Sequence, residues 1–236
     1  MNTENLSKRL QTVVSHIQNG ARLADIGSDH AYLPCHAVKK GIVPFAIAGE
    51  VAEGPYQSAL GQVKGEGLTS QISVRKGDGL EVVECGEVDC VTIAGMGGAL
   101  IASILAAGKN KLADVQRLIL QPNIGAISIR KWLIENKWRL ITEEILEEDG
   151  KIYEILVAEK GDPYAAYGDH IESGLLLGPF LKNSQNNAFR KKWTSEKANW
   201  ERILSQLEQA GNKEENILKK EELLHKIRLV EEAFRK

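Results

Sequence analysis

The stretch Ala24-Asp25-Ile26-Gly27-Ser28-Asp29-His30-Ala31-Tyr32-Leu33-Pro34 decides the fold. It joins an apolar run at residues 21–26, which predicts a buried strand, to a predicted helix at roughly residues 30–40 that breaks at Gly41. A strand, a tight glycine turn and a helix are the opening unit of nucleotide-binding α/β domains. Gly27 has no Cβ atom, so a ligand can lie close against this turn.

Carboxylates replace the G-x-G-x-x-G fingerprint of dinucleotide sites in this turn. A pyrophosphate would be repelled by Asp25 and Asp29, whereas a cationic ligand that bears an amine would be attracted. We therefore expect S-adenosylmethionine, which has a sulfonium and a free α-amine, in contact with Asp25, Gly27 and Ser28. The alternative is that Asp29 only caps the next helix and that His30 is a surface residue.

Two more predicted strands end in acidic residues. The strand at residues 45–50 ends in Glu50, whose carboxylate we expect to accept hydrogen bonds from ribose hydroxyls, beside Val51. A solvent-exposed Glu50 at a strand end is the alternative. The strand at residues 72–75 precedes Gly77-Asp78-Gly79, where Asp78 could accept from the exocyclic amine of an adenine. An ordinary turn would also favour Asp and Gly at these positions.

The next two strands end in glycines and amides. The apolar run at residues 88–93 predicts a buried parallel strand that leads into Ala94-Gly95-Met96-Gly97-Gly98. Three glycines in four positions leave backbone amides open at the carboxyl end of the sheet, where ligands bind in such folds. The strand at residues 117–121 ends in Gln121-Pro122-Asn123, whose amides could bond the pairing edge of a base.

A hairpin separates two cofactor classes. Residues 139–146 and 152–158 predict strands, and the Asp-Gly within the connection at residues 147–150 indicates an antiparallel turn. Folds that bind NAD keep a parallel sheet, whereas methyltransferases that use S-adenosylmethionine have an antiparallel seventh strand, which we expect at the sheet edge. An amphipathic helix at residues 3–18 should cover the sheet or the cofactor cleft.

The pattern of apolar residues changes beyond residue 161. We expect an S-adenosylmethionine-binding domain at residues 1–161 and a helical coiled-coil domain at residues 162–236, with a short helix at about 171–181. Spacings of three, four and seven predict two helices that form an antiparallel hairpin with a break at Gly211-Asn212. The predicted seam is formed by Phe189, Trp193, Trp200, Ile203, Leu207 and Ala210, then Ile217, Leu224, Ile227, Val230 and Phe234.

A basic cluster lies near one end of this hairpin. Lys182, Arg190, Lys191 and Lys192 are candidates for contacts with RNA phosphates, although a solvated helix surface would have the same composition. The chain has a formal net charge of −2, with a mildly acidic body and a more basic tail. This division fits an enzyme that uses its tail on a polyanion.

Composition indicates a globular chain with a proper core. Its 236 residues are 43% hydrophobic, and its three cysteines have no pairing pattern and no metal-ligand spacing, so we expect no metal. A polar N-terminus and short apolar runs suggest neither a signal peptide nor a membrane span. We expect a cytoplasmic protein that has reduced thiols.

Together these motifs resemble a known family. In chain order they are Asp25-x-Gly27-x-Asp29-His30-x-x-x-Pro34, Gly77-Asp78-Gly79, Ala94-Gly95-Met96-Gly97-Gly98 and Gln121-Pro122-Asn123. The chain resembles the bacterial tRNA adenine-N1 methyltransferases of the TrmK type over essentially its whole length. The resemblance implies an α/β fold with a Rossmann-like class I methyltransferase sheet whose last strand is antiparallel, followed by a C-terminal coiled-coil hairpin. It also implies S-adenosylmethionine as donor, S-adenosylhomocysteine as product and tRNA, at position 22 in the D-arm, as substrate.

The reaction suggests roles for the remaining site residues. Adenine N1 has a free in-plane lone pair, so it can attack the methyl group directly once the base is unpaired, and catalysis should be mostly positioning. We expect Asp29 to stabilise the cationic product base, with His30 and Tyr32 beside it and Asn123 orienting the base. The Asp/Asn-Pro-Pro-Tyr signature of exocyclic-amine methylation is missing after the fourth strand.

Two other functions are possible on this reading. The chain could methylate another RNA, a protein or a small molecule, or it could be a non-catalytic RNA-binding module on a methyltransferase fold. The acidic residues expected around the cofactor are all present, which argues against the non-catalytic alternative. An intramolecular hairpin would satisfy the coiled-coil seam, so we expect a monomer.

Overall fold

A seven-stranded sheet forms the centre of the computed structural model, which describes residues 2–209 and 214–235. The order of its strands is β3-β2-β1-β4-β5-β7-β6, and β1 to β5 are parallel. The strands are β1 (Arg22–Ile26), β2 (Phe45–Glu50), β3 (Ile72–Lys76), β4 (Cys90–Gly97), β5 (Arg117–Ile124), β6 (Trp138–Glu148) and β7 (Lys151–Lys160). The predicted Rossmann-like sheet is confirmed.

Helices cover both faces of the sheet. They are α1 (Lys8–Ser15), α2 (Tyr32–Lys39), α3 (Glu53–Gly65), α4 (Gly98–Ala107), α5 (Ala126–Glu135), α6 (Ile171–Leu177), α7 (Leu181–Ser184), α8 (Asn187–Gln209) and α9 (Glu214–Phe234). Apolar residues of α1, α2 and α3 contribute to one buried cluster, and those of α4 and α5 to a second. The interior strands are buried on both faces, which explains why they are continuously apolar.

The order of the strands places a ligand site between β1 and β4. From β1 the chain proceeds outward to β2 and β3, then returns to the other side of β1 with β4 and β5. Such a reversal leaves a crevice beyond the carboxyl ends of the strands, where open α/β sheets bind ligands. The motifs expected to bind the cofactor follow β1, β2, β3 and β4, so the fold brings them to this one edge.

The hairpin differs in two ways from the prediction. Its turn contains only Asp149 and Gly150, both with positive φ (50° and 74°), as a two-residue type I′ turn requires, while Glu147 and Glu148 still pair within β6. The antiparallel strand β7 was also expected at the edge of the sheet, but it lies between β5 and β6. Its central residues 154–158 are all buried, as an interior strand requires.

The helix at residues 171–181 was also predicted wrongly as one element. It is divided into α6 and α7 because Gly178 has a φ of 88°, outside the helical region, and Pro179 follows. The first helix is shorter than predicted: it begins after Ser7, whose hydroxyl accepts a hydrogen bond from the Leu10 amide at 3.3 Å. None of the described helices is long and apolar enough to span a membrane.

Helices α8 and α9 lie antiparallel in contact with each other. The Phe189 ring lies 6.3 Å from that of Phe234, and Lys197 bonds Glu231 at 2.6 Å further along the pair. Part of the predicted seam is wrong, because Ile217 and Leu224 are exposed and Leu223 is buried instead. Ala210 and the predicted break at Gly211-Asn212 lie outside the described residues, and the coiled-coil character of the pair stays a prediction.

Buried charges tie these helices to the sheet. Arg130 of α5 is fully buried and contacts Glu143 of β6 and Glu154 of β7, each at 2.6 Å. Glu154 also binds Lys192 of α8, and Glu143 accepts a hydrogen bond from the backbone N–H of Phe180 at 3.1 Å. We call these four side chains the Arg130 cluster. It joins two strands, one sheet-covering helix and one C-terminal helix.

Replacing Arg130 by Met should lower the free energy of unfolding by about 3–5 kcal/mol, because Glu143 and Glu154 would lose their shared cation while remaining buried. Urea denaturation measures this difference. As a matched control, Arg22→Met removes an ion pair with Asp89 (2.8 Å) whose arginine is 44% exposed, and it should lower the free energy of unfolding far less, because solvent screens this pair. Equal losses for the two variants would contradict the structural role of the Arg130 cluster.

Candidate active site

A cavity of about 400 Å³ lies at the carboxyl ends of β1, β2, β4 and β5. Its wall contains three carboxylates and one cationic side chain among the described residues, so an anionic environment dominates. The acids are Asp25, Asp29 and Glu50, and the cation is Arg9 of α1. The cavity thus has the charge expected for a ligand that carries a sulfonium and an amine.

The turn after β1 has an unusual backbone. Gly27 has a φ of 68°, and Asp29, His30 and Ala31 follow with φ values of 39°, 48° and 52°. Non-glycine residues cost of order 1–3 kcal/mol each in such conformations, and these are typically held at functional sites. The helix therefore begins at Tyr32 and not at His30 as predicted. Its N-cap is Ala31, so the alternative role of Asp29 as the cap is wrong.

Asp25 holds this turn through hydrogen bonds to its side chain. Its side chain is buried and accepts hydrogen bonds from the hydroxyls of Ser28 and Thr92, each at 2.6 Å. Burial raises the pKa of Asp25, while the two hydroxyls oppose that shift. The structure places both Asp25 and Ser28 on the cavity wall, as expected of cofactor contacts. Thr92 was not predicted, because its relation to Asp25 depends on the pairing of β1 with β4.

Glu50 holds the other side of the turn. Its carboxylate accepts a hydrogen bond from the backbone N–H of Asp29, and only 6% of the residue is exposed. Burial raises the pKa of Glu50, and the Asp29 amide opposes that shift. Glu50 is therefore not the solvent-exposed strand-end residue of the alternative reading. Val51, expected beside the cofactor, is 61% exposed and is not among the residues that line the cavity.

The expected catalytic residues gather at the mouth of this cavity. The Asp29 side chain is 76% exposed, and its carboxylate lies 3.5 Å from His30 Nε2. The rings of His30 and Tyr32 are stacked at 5.3 Å. Asp29, Tyr32 and Asn123 line the cavity, whereas His30 is beside it and contacts Tyr32. Three of the four expected residues therefore line the same cavity.

The glycine-rich motif at the end of β4 is divided between two tasks. Ala94, Gly95 and Met96 line the cavity, and the Gly95 carbonyl accepts a hydrogen bond from Asn123 Nδ2 at 2.7 Å. Gly98, expected to contact the cofactor, instead packs against α5, where an added Cβ atom would lie 2.1 Å from the carbonyl oxygen of Gly125. Gly97 precedes α4 as its N-cap. Only the first part of the motif faces the cavity.

The Gly77-Asp78-Gly79 turn lies on a neighbouring cavity of about 430 Å³. Asp78 and Gly79 line it together with residues of α4. Asp78 also precedes a 3₁₀ turn, and its backbone N–H donates to the Glu81 carboxylate at 3.1 Å. Gly77 packs against Val82. The turn that was the alternative reading is present, and Asp78 is not in the same cavity as Glu50.

Helix α1 supplies site residues that were not predicted individually. The guanidinium of Arg9 donates to Gln121 Oε1 and lies 5.3 Å from the ring centroid of Tyr153. Gln121 Oε1 also accepts from the Gly95 amide at 3.0 Å, so Arg9 is tied to the glycine-rich loop. The sequence indicated that this helix would cover the cleft, but its pattern did not show which polar residue would face the cavity.

The basic side chains predicted to contact RNA already make contacts within the chain. Lys192 binds the buried Glu154 and thus belongs to the Arg130 cluster. Lys191 pairs with Glu147, Lys182 bonds Ser173 at 3.0 Å, and the Arg190 guanidinium lies 5.6 Å from the Phe234 ring centroid. All four cations have partners within the chain. Across the part of the chain that is described, no group of three or more acidic, histidine or cysteine residues could hold a metal ion.

Comparison with known proteins agrees with this geometry. The family model described as "TrmK: tRNA (adenine(22)-N(1))-methyltransferase" matches residues 23–232. The tRNA (adenine(22)-N(1))-methyltransferase of Bacillus subtilis is 57% identical over 99% of both chains. Its crystal structure superposes with a TM-score of 0.95 at 55% identity, over 98% of this chain and 99% of that one. Sp1610 of Streptococcus pneumoniae, solved in complex with S-adenosyl-L-methionine, has a TM-score of 0.86 at 43% identity, over 97% and 99%. The chain therefore belongs to the TrmK family of tRNA (adenine(22)-N(1))-methyltransferases.

Proposed function

We propose that this chain transfers a methyl group from S-adenosylmethionine to N1 of adenine 22 in tRNA, leaving S-adenosylhomocysteine. The observation that carries the proposal is the acidic cavity at the carboxyl ends of β1, β2 and β4, in a chain 57% identical to the B. subtilis enzyme along its whole length. A chain that had lost catalysis and kept only a fold would have no need for the strained turn at residues 27–31.

The cavity residues fit the cofactor by their chemistry. Glu50 would accept hydrogen bonds from the ribose hydroxyls, and the carboxylate of Asp25 would favour the sulfonium and amine. Arg9 would pair with the carboxylate of the methionine moiety, as the one cation of the described cavity wall. Asp78 and Gly79 would hold the adenine from the neighbouring cavity. The bound cofactor supplies an electrophilic methyl group.

The residues at the cavity mouth would position the target base. Asn123 Nδ2 is held by the Gly95 carbonyl, which fixes the side-chain amide so that its Oδ1 can accept from the exocyclic amine of adenine. This orients N1 toward the cavity and leaves its lone pair free. No general base is required, because adenine N1 carries no proton. Asp29 would stabilise the positive charge that develops on the ring, with Tyr32 and His30 packed beside it.

The remaining assignments follow from the substrate. We place cofactor binding and methyl transfer in residues 1–161 and assign residues 162–236 to a separate helical domain that contacts tRNA. Arg190 and Lys191 are exposed on α8 and are the stronger candidates for phosphate contacts, since Lys192 is held by Glu154. We propose a monomer that acts in the cytoplasm, where its tRNA substrate is found.

Unmodified tRNA incubated with the protein and methyl-labelled S-adenosylmethionine tests the reaction. Nucleoside mass spectrometry should find the label in 1-methyladenosine, and mapping by nuclease digestion should place it at position 22. A tRNA with guanosine at position 22 is the control and should remain unlabelled. Label in a different nucleoside would contradict the proposed acceptor, and label in protein would favour the other acceptor class.

Asp29→Asn should lower kcat for tRNA about 10-fold or more, because the amide keeps the shape of the side chain but not the charge that stabilises the cationic base. The affinity for S-adenosylmethionine, measured by calorimetry, should change much less. Asp169→Asn replaces an exposed aspartate outside the cavity and should leave both quantities unchanged. Full turnover of Asp29→Asn would remove Asp29 from the mechanism.

A further inference from the structure

A second cleft opens between the start of α5 and the C-terminal helices. Its volume is about 180 Å³, room for about six water molecules or one flat ring system. Residues of the sheet body form one side and residues of α8 and α9 form the other. The side chains and backbone that matter here are Gly125, Ile127, Trp193, Glu196, Trp200 and Lys226. We call it the Trp200 cleft.

The Trp200 cleft is next to the site expected for the target base. Asn123 lines the cofactor cavity and Gly125 lines the Trp200 cleft, so the two spaces are separated by two residues, or at most about 7 Å of chain. Ile124 lies between them and is 76% exposed, which is unusual for a large apolar residue at the end of an interior strand. An apolar side chain thus stands between two adjacent recesses.

The chemistry of the cleft suits an uncharged aromatic ligand. Both cations of the described lining are paired, Lys192 with Glu154 and Lys226 with Glu222, so neither is left to attract a phosphate. The Trp193 and Trp200 rings lie 6.2 Å apart at 49° and offer aromatic surface. A carboxylate and an ammonium group on the same wall provide both an acceptor and a donor.

Within the part of the chain that is described, Trp193 has a buried hydrogen-bond donor that lacks an acceptor. The residue is only 4% exposed, and its indole Nε1 has no hydrogen-bond partner among the described residues. Buried indole N–H groups usually find an acceptor, because a donor buried without one loses its hydrogen bonds to water. A ligand with ring acceptors in the cleft that Trp193 lines would provide one after a small adjustment of the ring.

We propose that the Trp200 cleft holds the base of a tRNA nucleotide adjacent to the methylated adenine, and that Ile124 inserts between the two bases. The proposal rests on tRNA being the substrate. Proteins that recognise unpaired RNA stack bases on aromatic side chains, and enzymes that modify a base must first take it out of its stack. Apolar wedges separate neighbouring bases in bent nucleic acids. Holding the neighbour would keep the target adenine extruded toward Asn123.

A thermodynamic cycle between protein and tRNA tests the cleft. Trp200→Ala should weaken tRNA binding about 10-fold, as loss of one stacked base does, and leave the affinity for S-adenosylmethionine unchanged. Trp200→Phe should restore most of the tRNA affinity. Two further tRNAs lack the base at position 21 or the base at position 23. On the tRNA that lacks the base held by the cleft, Trp200→Ala should not weaken binding further. Fluorescence anisotropy measures each affinity.

Two other variants guard against a purely structural effect. Ile124→Ala changes an exposed side chain and should also weaken binding of intact tRNA. Leu218 is another exposed apolar residue, 66% exposed on α9, and Leu218→Ala should leave tRNA binding unchanged. An unchanged tRNA affinity of Trp200→Ala, or an equal loss on intact and on both abasic tRNAs, would overturn the proposal for the cleft alone. Absence of label in tRNA with the unaltered protein would instead overturn the proposed function.

Discussion

The buried carboxylate of Asp25 is the contact on which the active site depends. It bonds Ser28 within the turn and Thr92 on the neighbouring strand β4, so it fastens the turn to the centre of the sheet. Glu50 holds the same turn from β2 through the amide of Asp29. Three consecutive non-glycine residues with positive φ persist only where their surroundings determine the backbone strongly. Strands β1, β2 and β4 each contribute to that constraint.

The same turn sets the arrangement of the reacting groups. Because residues 29–31 are left-handed, the Asp29 side chain is at the cavity mouth and not at the start of α2, where an N-cap would stand. The Asp29 carboxylate is then exposed at the cavity, while Asp25 and Glu50 stay buried and burial raises their pKa values. On the opposite wall, Arg9, Gln121 and the Gly95 loop are joined by hydrogen bonds. These hydrogen bonds fix both the charge and the geometry of the cavity.

Much of this could be predicted from local patterns. The glycine turn, the acids at the ends of β1 and β2, and the Asp-Gly hairpin are short-range signals, and each was assigned to the correct segment of the chain. The position of β7 between β5 and β6 was not, because strand pairing depends on partners far away in the chain. Arg9 and Thr92 were missed for a similar reason. Their roles arise from helix orientation and strand register.

In the C-terminal region, the sequence pattern alone did not identify which residues are buried or which charges are paired. Leu223 and Leu224 both fit spacings of three and four, and only the tertiary packing of α9 selects Leu223 for burial. Lys192 looked like part of a basic surface, yet its partner Glu154 lies 38 residues earlier in β7. A charge pattern in one helix cannot reveal such a partner. This partner also determines the position of Lys192 in the lining of the Trp200 cleft.

The affinity of Thr92→Val for S-adenosylmethionine, measured by calorimetry, tests the central claim most directly. Valine preserves the shape of the buried side chain but removes the hydroxyl that bonds Asp25, a change worth about 1–3 kcal/mol. If Asp25 holds the turn in place, the dissociation constant should rise about 10-fold, whereas Thr142→Val in β6 should leave it unchanged. An affinity of Thr92→Val equal to that of the unaltered protein would contradict the account.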